Sequence, residues 1–285
     1  MALNVLQRIS ELSRYFSKSD RKLANAVIYE YEKIAYMTAA QLGAYCNVSE
    51  STVIRFAKNL EYKGYKEFQQ AVITLLRSKM TPNQRIQVTK NKIGRGYVPE
   101  MVMESDIDKI RHSLEKLDKD RFYEAVDTIN TCRTLYIMGA RSSEPIARLF
   151  HYNMSLIFDN VKLVTPASSN EVFEQMFSIN EEDAVFALTF PRYSNKIINA
   201  VKFANSKGAK TIVLTDSKTA PIANYASTLI TAQSDMASFM DSLVAPLSII
   251  NAIVVEITRR NEKEITKRFD TMEKLWDEYD VYTDK

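Results

Sequence analysis

The spacing of hydrophobic residues changes once along this chain, near residue 134. Between Leu3 and Arg77, apolar residues recur every three or four positions, as on one face of an amphipathic helix, with no convincing strand-type alternation. After Thr134, short apolar runs of strand length alternate with helical stretches. A chain of 285 residues is also longer than one core usually organises. The sequence therefore predicts a multidomain protein with an all-α N-terminal domain and an α/β C-terminal domain.

The region between residues 80 and 104 separates the two patterns. The helical pattern fades there, and the region holds four of the thirteen Gly and Pro residues of the chain. These residues are Pro82, Gly94, Gly96 and Pro99. We therefore predict a first domain over 1–79, a linker over 80–104 and a second domain over 105–285.

Charge is divided unevenly between the two parts. Residues 1–104 contain 16 Lys and Arg against 9 Asp and Glu, whereas the remainder contains 22 against 26. A basic N-terminal part is typical of a module that binds a polyanion such as nucleic acid. An uneven surface charge can also arise without such a partner, so charge alone leaves both interpretations open.

The first domain contains two short helices joined by a tight turn. We predict that a helix begins at residues 19–20, that Thr38 is the N-cap of the next helix, and that Ser49 is the N-cap of a helix over Glu50–Leu60. The turn between the last two helices is Cys46–Val48. Two short helices joined by about three residues have the layout of a helix-turn-helix.

The residue types fit this layout. Gly43 is small where the helices would cross, and Asn47 tolerates the left-handed conformation that a sharp turn needs. The side chains predicted to face inward are Val48, Val53, Ile54 and Phe56. Those predicted to contact DNA are Ser49, Ser51, Thr52, Arg55, Lys58 and Asn59, with Lys63 and Lys66 on the phosphate backbone. Short hydroxyls and long cations near a helix N-terminus suit phosphates and base edges; a solvated helix face is the alternative.

These residues also form a motif. Residues 48–56 read VSESTVIRF, and they are followed by Leu60 and by GYKEF at 64–68. The pattern resembles the N-terminal domain of the RpiR/MurR family of bacterial transcriptional regulators, in which V-S-x-x-T-x-x-R-F precedes a Leu-Gly pair and G-[FY]-x-E-F. The Gly of that pair is Glu61 here, which is expected to alter the helix end without abolishing DNA binding. The resemblance implies binding to double-stranded operator DNA.

Five short apolar runs predict the strands of the second domain. They lie at 134–138, 161–165, 183–189, 211–215 and 227–230. Helical stretches separate most of them, so we predict a parallel sheet covered by helices on both faces, which is a three-layer α/β domain. Ligands of such sheets bind beyond the C-terminal ends of the strands, where loops lead into helix N-termini.

Three loops at that edge carry the candidate effector-binding residues. They are Gly139, Arg141, Ser142 and Ser143 after the first strand, Ser168 and Ser169 after the second, and Thr189, Arg192, Tyr193 and Ser194 after the third. Hydroxyls and backbone N–H groups at helix starts bind anions, and the Arg guanidinium pairs with carboxylate or phosphate. A Ser or Thr at such a junction can equally be only an N-cap.

The region 134–230 resembles the sugar isomerase (SIS) domain, the usual C-terminal partner in RpiR-type regulators, where it senses a phosphosugar. The family's loops run G-x-G-x-S-x-x-x-A and S-x-S-G-x-T. Here Arg141 and Arg192 stand where glycines are expected, and Pro191 replaces a Ser. Backbone cradling of phosphate is thereby disfavoured. We expect the two arginines either to bind an anionic small molecule, a phosphosugar or a related acidic compound, or to fill the pocket.

The sequence shows no catalytic constellation. His112 and His151 are the only histidines, and the sequence around each is more typical of a structural role. Glu144 and Glu171 fit ordinary acidic positions in a first helical turn. We therefore predict a regulator with no catalytic residue, metal or cofactor. The alternatives are a phosphosugar isomerase with an incidental helical domain, and an assembly scaffold.

The C-terminal region predicts self-association. The apolar run Leu243–Ile257 is interrupted by Pro246 and is shorter than the roughly 20 residues that span a bilayer, so it is expected to be a buried or interface helix. An amphipathic tail follows, with apolar residues at Ile265, Phe269, Met272, Leu275, Trp276 and Tyr279. Helix-turn-helix regulators bind paired half-sites, so we expect a homodimer or homotetramer. Two Cys and no leader indicate a cytoplasmic protein that does not bind membranes.

Overall fold

A computed structural model describes residues 5–86, 96–165, 169–235 and 240–282. The helices are α1 (Val5–Leu12), α2 (Lys18–Tyr29), α3 (Tyr31–Ile34), α4 (Ala39–Cys46), α5 (Glu50–Asn59), α6 (Tyr65–Lys79), α7 (Val98–Lys116), α8 (Lys119–Thr131), α9 (Glu144–Ile157), α10 (Ser169–Gln175), α11 (Asn195–Ser206), α12 (Val244–Arg260) and α13 (Glu262–Glu278). Residues 82–86 are also helical. The strands are β1 (Leu135–Gly139), β2 (Val161–Val164), β3 (Ala184–Leu188), β4 (Lys210–Thr215) and β5 (Thr228–Thr231). The prediction of an all-α region followed by an α/β region is confirmed.

Side-chain caps fix the helix starts of the N-terminal region. Thr38 and Ser49 cap α4 and α5 as predicted, each accepting a backbone N–H of the first turn. In α2 the prediction is wrong, because the cap is Ser17 rather than residues 19–20. The Ser17 hydroxyl accepts from the Asp20 N–H at 3.2 Å, and the Asp20 carboxylate accepts from the Ser17 N–H at 3.1 Å. Asp20 is therefore the third helical residue of a capping box.

The turn between α4 and α5 combines a close approach with a left-handed residue. A Cβ at Gly43 would lie 2.9 Å from the backbone oxygen of Val48, so the two helices meet where a side chain would obstruct them. Asn47 has a φ of 51°, a conformation that Asn adopts more readily than most residues. Both features were predicted from the sequence, and both are confirmed.

The inner side of α5 joins the core of the N-terminal region. Val53, Phe56 and Ala57 are fully buried, and the Phe56 ring packs edge-on against Phe68 with centroids 5.9 Å apart. The prediction that Ile54 faces inward is wrong, because 36% of its surface is exposed. Ile54 follows buried Val53 by one position, a rotation of about 100° around the helix, which turns it toward solvent.

The second region is a three-layer structure around a parallel sheet. Its five strands have the order β2-β1-β3-β4-β5, and every neighbouring pair is parallel. β1 and β3 are buried throughout, as strands covered on both faces should be. One face packs mainly against α8, α9 and α12, the other against α10 and α11. Gly139 is aligned with Leu188, so the loops that follow β1 and β3 begin side by side.

Helix α7 begins earlier than the sequence indicates and turns its apolar residues outward. The pattern predicts a helix from residue 105, but α7 starts at Val98, inside the range predicted as a linker. Its buried side is polar: Lys109 and Ser113 are 3% and 5% exposed. The Lys109 ammonium is satisfied by Asp106 at 3.1 Å, and the Ser113 hydroxyl accepts from the Gln233 N–H at 2.8 Å. The opposite, apolar side is exposed to solvent.

Two helices form the C-terminal end. The apolar run predicted as a buried or interface helix is α12, in which Ile249, Ile250, Ile253 and Ile257 are buried. The amphipathic tail is α13, where Ile265 alone is buried among the helical residues. In the described part of the chain, no helix is both long enough and apolar enough to cross a bilayer.

Candidate functional site

The outer surface of α5 carries the predicted DNA-binding side chains. Ser49, Ser51, Arg55, Lys58 and Asn59 are exposed, and Thr52 is half-buried. The Ser49 hydroxyl lies 2.9 Å from that of Ser51 and 2.8 Å from that of Thr52, forming a hydroxyl cluster at the helix N-terminus. Hydroxyls at this end of a helix, with cations one and two turns further along, present donors for phosphates and base edges.

Lys63 and Lys66 follow the C-terminal end of α5. Both are exposed, and both line a cavity of about 730 Å³ together with residues of the α/β region. Lys116 and Lys218 lie on its other side. These two predicted phosphate contacts therefore face a cleft between the two regions.

The end of α5 shows why Gly is expected after Leu60. Glu61 has a φ of 64°, in the left-handed region that favours Gly. Its carboxylate accepts from the Arg8 guanidinium at 3.1 Å, and Arg8 also donates to the Leu60 carbonyl at 2.6 Å. The helix therefore ends as a glycine would end it, with an ion pair added at the surface.

The predicted effector loops meet at a cavity of about 480 Å³. Six of the predicted residues line it: Arg141, Ser142, Ser143, Thr189, Arg192 and Ser194. Gly139 and Tyr193 do not line it, and their contact with an effector stays a prediction. Ser168 lies outside the described residues, and Ser169 begins α10 but its side chain is likewise outside the description.

Gly139 allows close packing of the backbone next to the cavity. A Cβ at this position would lie 2.5 Å from the backbone oxygen of Ser143 and 3.1 Å from the Cβ of Ala147. The chain therefore folds back directly over the end of β1 before α9 begins. The small residues at 139 and 147 permit this approach, which places Arg141 and Ser142 at the rim.

Arg141 and Arg192, which stand where the family pattern has glycines, have a backbone conformation that favours glycine. Their φ values are 57° and 63°, both in the left-handed region. A non-glycine residue there typically costs about 1 kcal/mol or more. Both side chains are exposed at the same cavity. The loops therefore combine left-handed backbone at these two positions with two guanidinium groups, which favour an anionic ligand.

Tyr193 points to a different place. Its hydroxyl donates to Asp216 at 2.8 Å, and the residue lines a small cavity at the junction with the N-terminal region. Val5, Tyr62 and Leu75 line the other side of that cavity. The residue next to Arg192 therefore contacts the helical region rather than the effector cavity.

Two further charged residues line the effector cavity. Arg85 donates to the Asp241 carboxylate at 3.1 Å, and their side chains are only 4% and 7% exposed. Sequence reasoning missed both: Arg85 lies in the range read as a linker, and Asp241 lies just before the apolar run of α12. Thr81 caps the segment of Arg85, with its hydroxyl 3.3 Å from the Gln84 N–H, and the pattern T-x-x-Q was the available signal.

The histidines are not placed as an acid–base pair. His151 is half-buried within α9, and His112 is exposed on α7, where its Nδ1 lies 3.1 Å from the Asp108 carbonyl. Neither residue lines the effector cavity. Glu144 is in the first turn of α9, as predicted, and pairs with Arg148 at 2.8 Å. No group of three or more His, Cys, Asp or Glu side chains suited to a metal occurs within the described ranges.

Comparison with known proteins agrees with both halves of this arrangement. The helix-turn-helix domain of the rpiR family matches residues 3–79, and the SIS domain matches residues 128–256. The chain belongs to the RpiR family of transcriptional regulators. Its helix-turn-helix is therefore of the family's DNA-binding type, and its parallel sheet is an SIS domain.

Relatives of this regulator are similar to it over most of the chain or over the SIS domain alone. The HTH-type transcriptional regulator HexR of Escherichia coli K12 is 24% identical over 269 residues, which cover 90% of this chain and 89% of that protein. The sugar isomerase domain of an RpiR transcription factor from Sphaerobacter thermophilus has a TM-score of 0.59 at 19% identity, covering 62% and 98% of the chains. The Vibrio vulnificus NanR protein, solved with ManNAc-6P, has a TM-score of 0.62 at 17% identity, covering 99% and 100%. The structural likenesses show the fold.

Proposed function

We propose that this regulator binds double-stranded operator DNA through α5 and senses an anionic small molecule in the cavity of its SIS domain. The proposed contacts to DNA are Ser49, Ser51, Thr52, Arg55, Lys58 and Asn59, with Lys63 and Lys66 nearby. The observation that carries the effector proposal is the pair Arg141 and Arg192, which hold left-handed backbone at one cavity. The proposed domain division is 1–79, 80–104 and 105–285, with α7 beginning inside the middle range.

The first experiment tests DNA binding through Arg55. Replacing Arg55 by Ala should weaken binding to a duplex from the upstream region about fivefold or more, because an exposed Arg of a recognition helix is typically worth about 1–3 kcal/mol. Mobility shift across a salt series measures both the affinity and its salt dependence. Lys267→Ala, an equal loss of charge on α13, is the control and should leave binding unchanged. Equal affinities of the two variants would refute the assignment of α5.

The second experiment tests the effector cavity. Calorimetric titration should use N-acetylmannosamine 6-phosphate, glucose 6-phosphate, citrate and inorganic phosphate. We expect at least one to bind, with affinity reduced at least tenfold in Arg141→Ala and in Arg192→Ala, because charge-assisted hydrogen bonds are lost. Arg148→Ala, which removes an exposed arginine of α9 outside the cavity, is the control. Binding that survives both cavity substitutions would contradict the proposal.

A phosphosugar isomerase is the second candidate, because solved proteins of this fold include one named as a putative sugar-phosphate isomerase. The relatives named as transcriptional regulators favour regulation. The cavity also lacks a lining His or Glu that would serve as general base, as far as the described residues extend. We therefore propose no catalytic role. Turnover of a sugar phosphate by a preparation that fails to bind DNA would reverse this choice.

We further propose that two copies pair through α7. Met103, Ile107, Ile110 and Leu114 are 66%, 52%, 36% and 70% exposed, and their spacing of four, three and four is that of a heptad seam. In an antiparallel pair, Met103 would face Leu114 of a second copy and Ile107 would face Ile110. The stripe is therefore complementary to itself, as a two-fold interface requires. On its flank, Glu104 would approach Arg111 of the second copy.

Light scattering after gel filtration tests this surface. We expect the wild type to have at least twice the mass of one chain, and the double variant Ile107→Asp/Leu114→Asp to have the mass of one, because two buried carboxylates would prevent pairing. Leu275→Asp, at a half-exposed apolar position of α13, should keep the wild-type mass. A double variant that stays dimeric would exclude α7 as the interface. A monomeric wild type would exclude pairing itself.

A further inference from the structure

The effector cavity is not closed by the SIS domain alone. Pro82 and Arg85, from the helical segment at 82–86 that follows the helix-turn-helix domain, line it together with Asp241. We propose that Arg85 is an effector-sensing residue: an anion in the cavity competes with Asp241 for the Arg85 guanidinium, and this exchange reports occupancy to the DNA-binding domain. The inference rests on the proposed function, since it concerns the regulation of the same cavity.

The charges at the cavity make this ion pair sensitive to a ligand. Among the described residues that line the cavity, the charged ones are Arg85, Arg141, Arg192 and Asp241. An anion drawn in by Arg141 and Arg192 adds negative charge beside the single carboxylate and offers Arg85 a second acceptor. Because Arg85 and Asp241 are almost completely buried, water and salt screen these forces weakly. Occupancy therefore weakens the contact from Arg85 to Asp241.

Arg85 is in turn attached to the DNA-binding domain. It lies five residues beyond Met80, which is 7% exposed and belongs to the core of the helical domain. The neighbouring Gln84 amide donates to Glu32 of α3 at 3.4 Å. A shift of Arg85 therefore acts on a short segment that is attached to the helix-turn-helix domain at Met80 and at Gln84.

A second contact also links the effector cavity to the DNA-binding domain. Tyr193, the residue after Arg192, lines the small junction cavity with Val5, Tyr62 and Leu75 of the helical domain. A ligand held by Arg192 thus acts one residue away from a side chain that lies against α1 and α6. The helical segment of Arg85 and the loop of Arg192 both connect the cavity to the DNA-binding domain, and Arg85 is the residue whose partner an anion can replace.

The test compares two ion pairs in which the carboxylate is buried. Asp241→Asn keeps the shape of the side chain but removes its charge, Arg85→Gln removes the cation, and Arg85→Lys restores a cation. The control is Asp183→Asn, which neutralises the acceptor of Arg133 (2.7 Å, fully buried carboxylate) at the N-terminal side of the sheet, where β3 begins. Probe affinity is measured by calorimetry with N-acetylmannosamine 6-phosphate, glucose 6-phosphate, citrate and inorganic phosphate. DNA affinity is measured by fluorescence anisotropy on an upstream duplex, with and without saturating probe.

We expect saturating probe to change wild-type DNA affinity at least fivefold. Arg85→Gln should bind the probe several-fold more weakly and Asp241→Asn several-fold more tightly, and in both the probe should change DNA affinity less than twofold. Arg85→Lys should recover part of the response, which a merely structural role would not require, and Asp183→Asn should respond as wild type. Wild-type probe binding and DNA response that persist unchanged in Arg85→Gln and Asp241→Asn would overturn this inference alone. Failure of the wild type to bind any probe would overturn the proposed effector function as well.

Discussion

The helix-turn-helix and the loops of the SIS cavity use the same two backbone devices with different residues. Each places a glycine against a backbone oxygen: Gly43 beside Val48, and Gly139 beside Ser143. Each also holds a non-glycine residue in the left-handed region, which is Asn47 in the turn and Arg192 in a cavity loop. Asn is well suited to that conformation, whereas Arg is not.

This difference indicates that Asn47 serves folding, whereas Arg192 serves binding. In the turn of the DNA-binding domain, Asn47 adopts the left-handed conformation at little cost, so the residue type suits the backbone. In the cavity, Arg141 and Arg192 retain a costly conformation and project two cations into one space. Unrelieved strain of this kind is concentrated at functional sites. The comparison supports a role for these arginines in binding rather than in folding.

The largest expected effect is at the tighter of the two glycines. Gly139→Ala should lower the free energy of unfolding of the SIS domain by about 3 kcal/mol, because its Cβ would lie 2.5 Å from a backbone oxygen that cannot rotate away. Gly43→Ala should cost less, about 1–2 kcal/mol, since its contact is 2.9 Å and Ala favours the helix. Urea unfolding measures both. Gly64→Ala is the control, because a Cβ at Gly64 would have no atom within 4 Å. Equal losses of stability in all three variants would show that the close approach at Gly43 and Gly139 does not matter.

An intermediate effect is expected at the left-handed residues. Arg192→Gly should raise the free energy of unfolding by about 0.5–1 kcal/mol, because the relief of strain exceeds the added entropy of the unfolded chain. Asn47→Gly should change it by less than about 0.5 kcal/mol, since Asn already tolerates a φ of 51°. Thermal unfolding compares the two, and calorimetry should show that Arg192→Gly weakens anion binding. A stabilisation at residue 47 that matches the one at 192 would show that strain does not distinguish the two regions.

The smallest effect is expected at Glu61, where the DNA-binding domain itself departs from its family. Glu61→Gly relieves a φ of 64° but removes the surface ion pair with Arg8. Because such pairs contribute about 0–1 kcal/mol, the two changes nearly cancel, and stability should move by less than about 0.5 kcal/mol. Repeating the measurement in high salt should shift the balance toward stabilisation. DNA affinity that falls more than twofold would show that Glu61 matters beyond the helix end.

Much of the fold could be predicted from the sequence. The caps at Thr38 and Ser49 and the turn at Asn47 follow from residues within three or four positions of one another. The five strands follow from apolar runs, each correct to within about one residue. The helix start at residues 19–20 failed because Asp20 is a capping partner rather than a cap. The early start of α7 was missed because Pro99, which the sequence analysis counts among the linker residues, stands in the first turn of the helix, where proline is tolerated.

The candidate site also has a part that could be predicted from the sequence and a part that could not. By itself, the sequence determined the helix-turn-helix, the family, and the loops that contain Arg141 and Arg192, because each depends on residues close together along the chain. Only the tertiary structure decided that these loops open side by side, that Tyr193 turns to the helical domain, and that Arg85 meets Asp241, 156 positions away. Those contacts depend on the order of the strands and the packing of one domain on the other, and no local spacing encodes them.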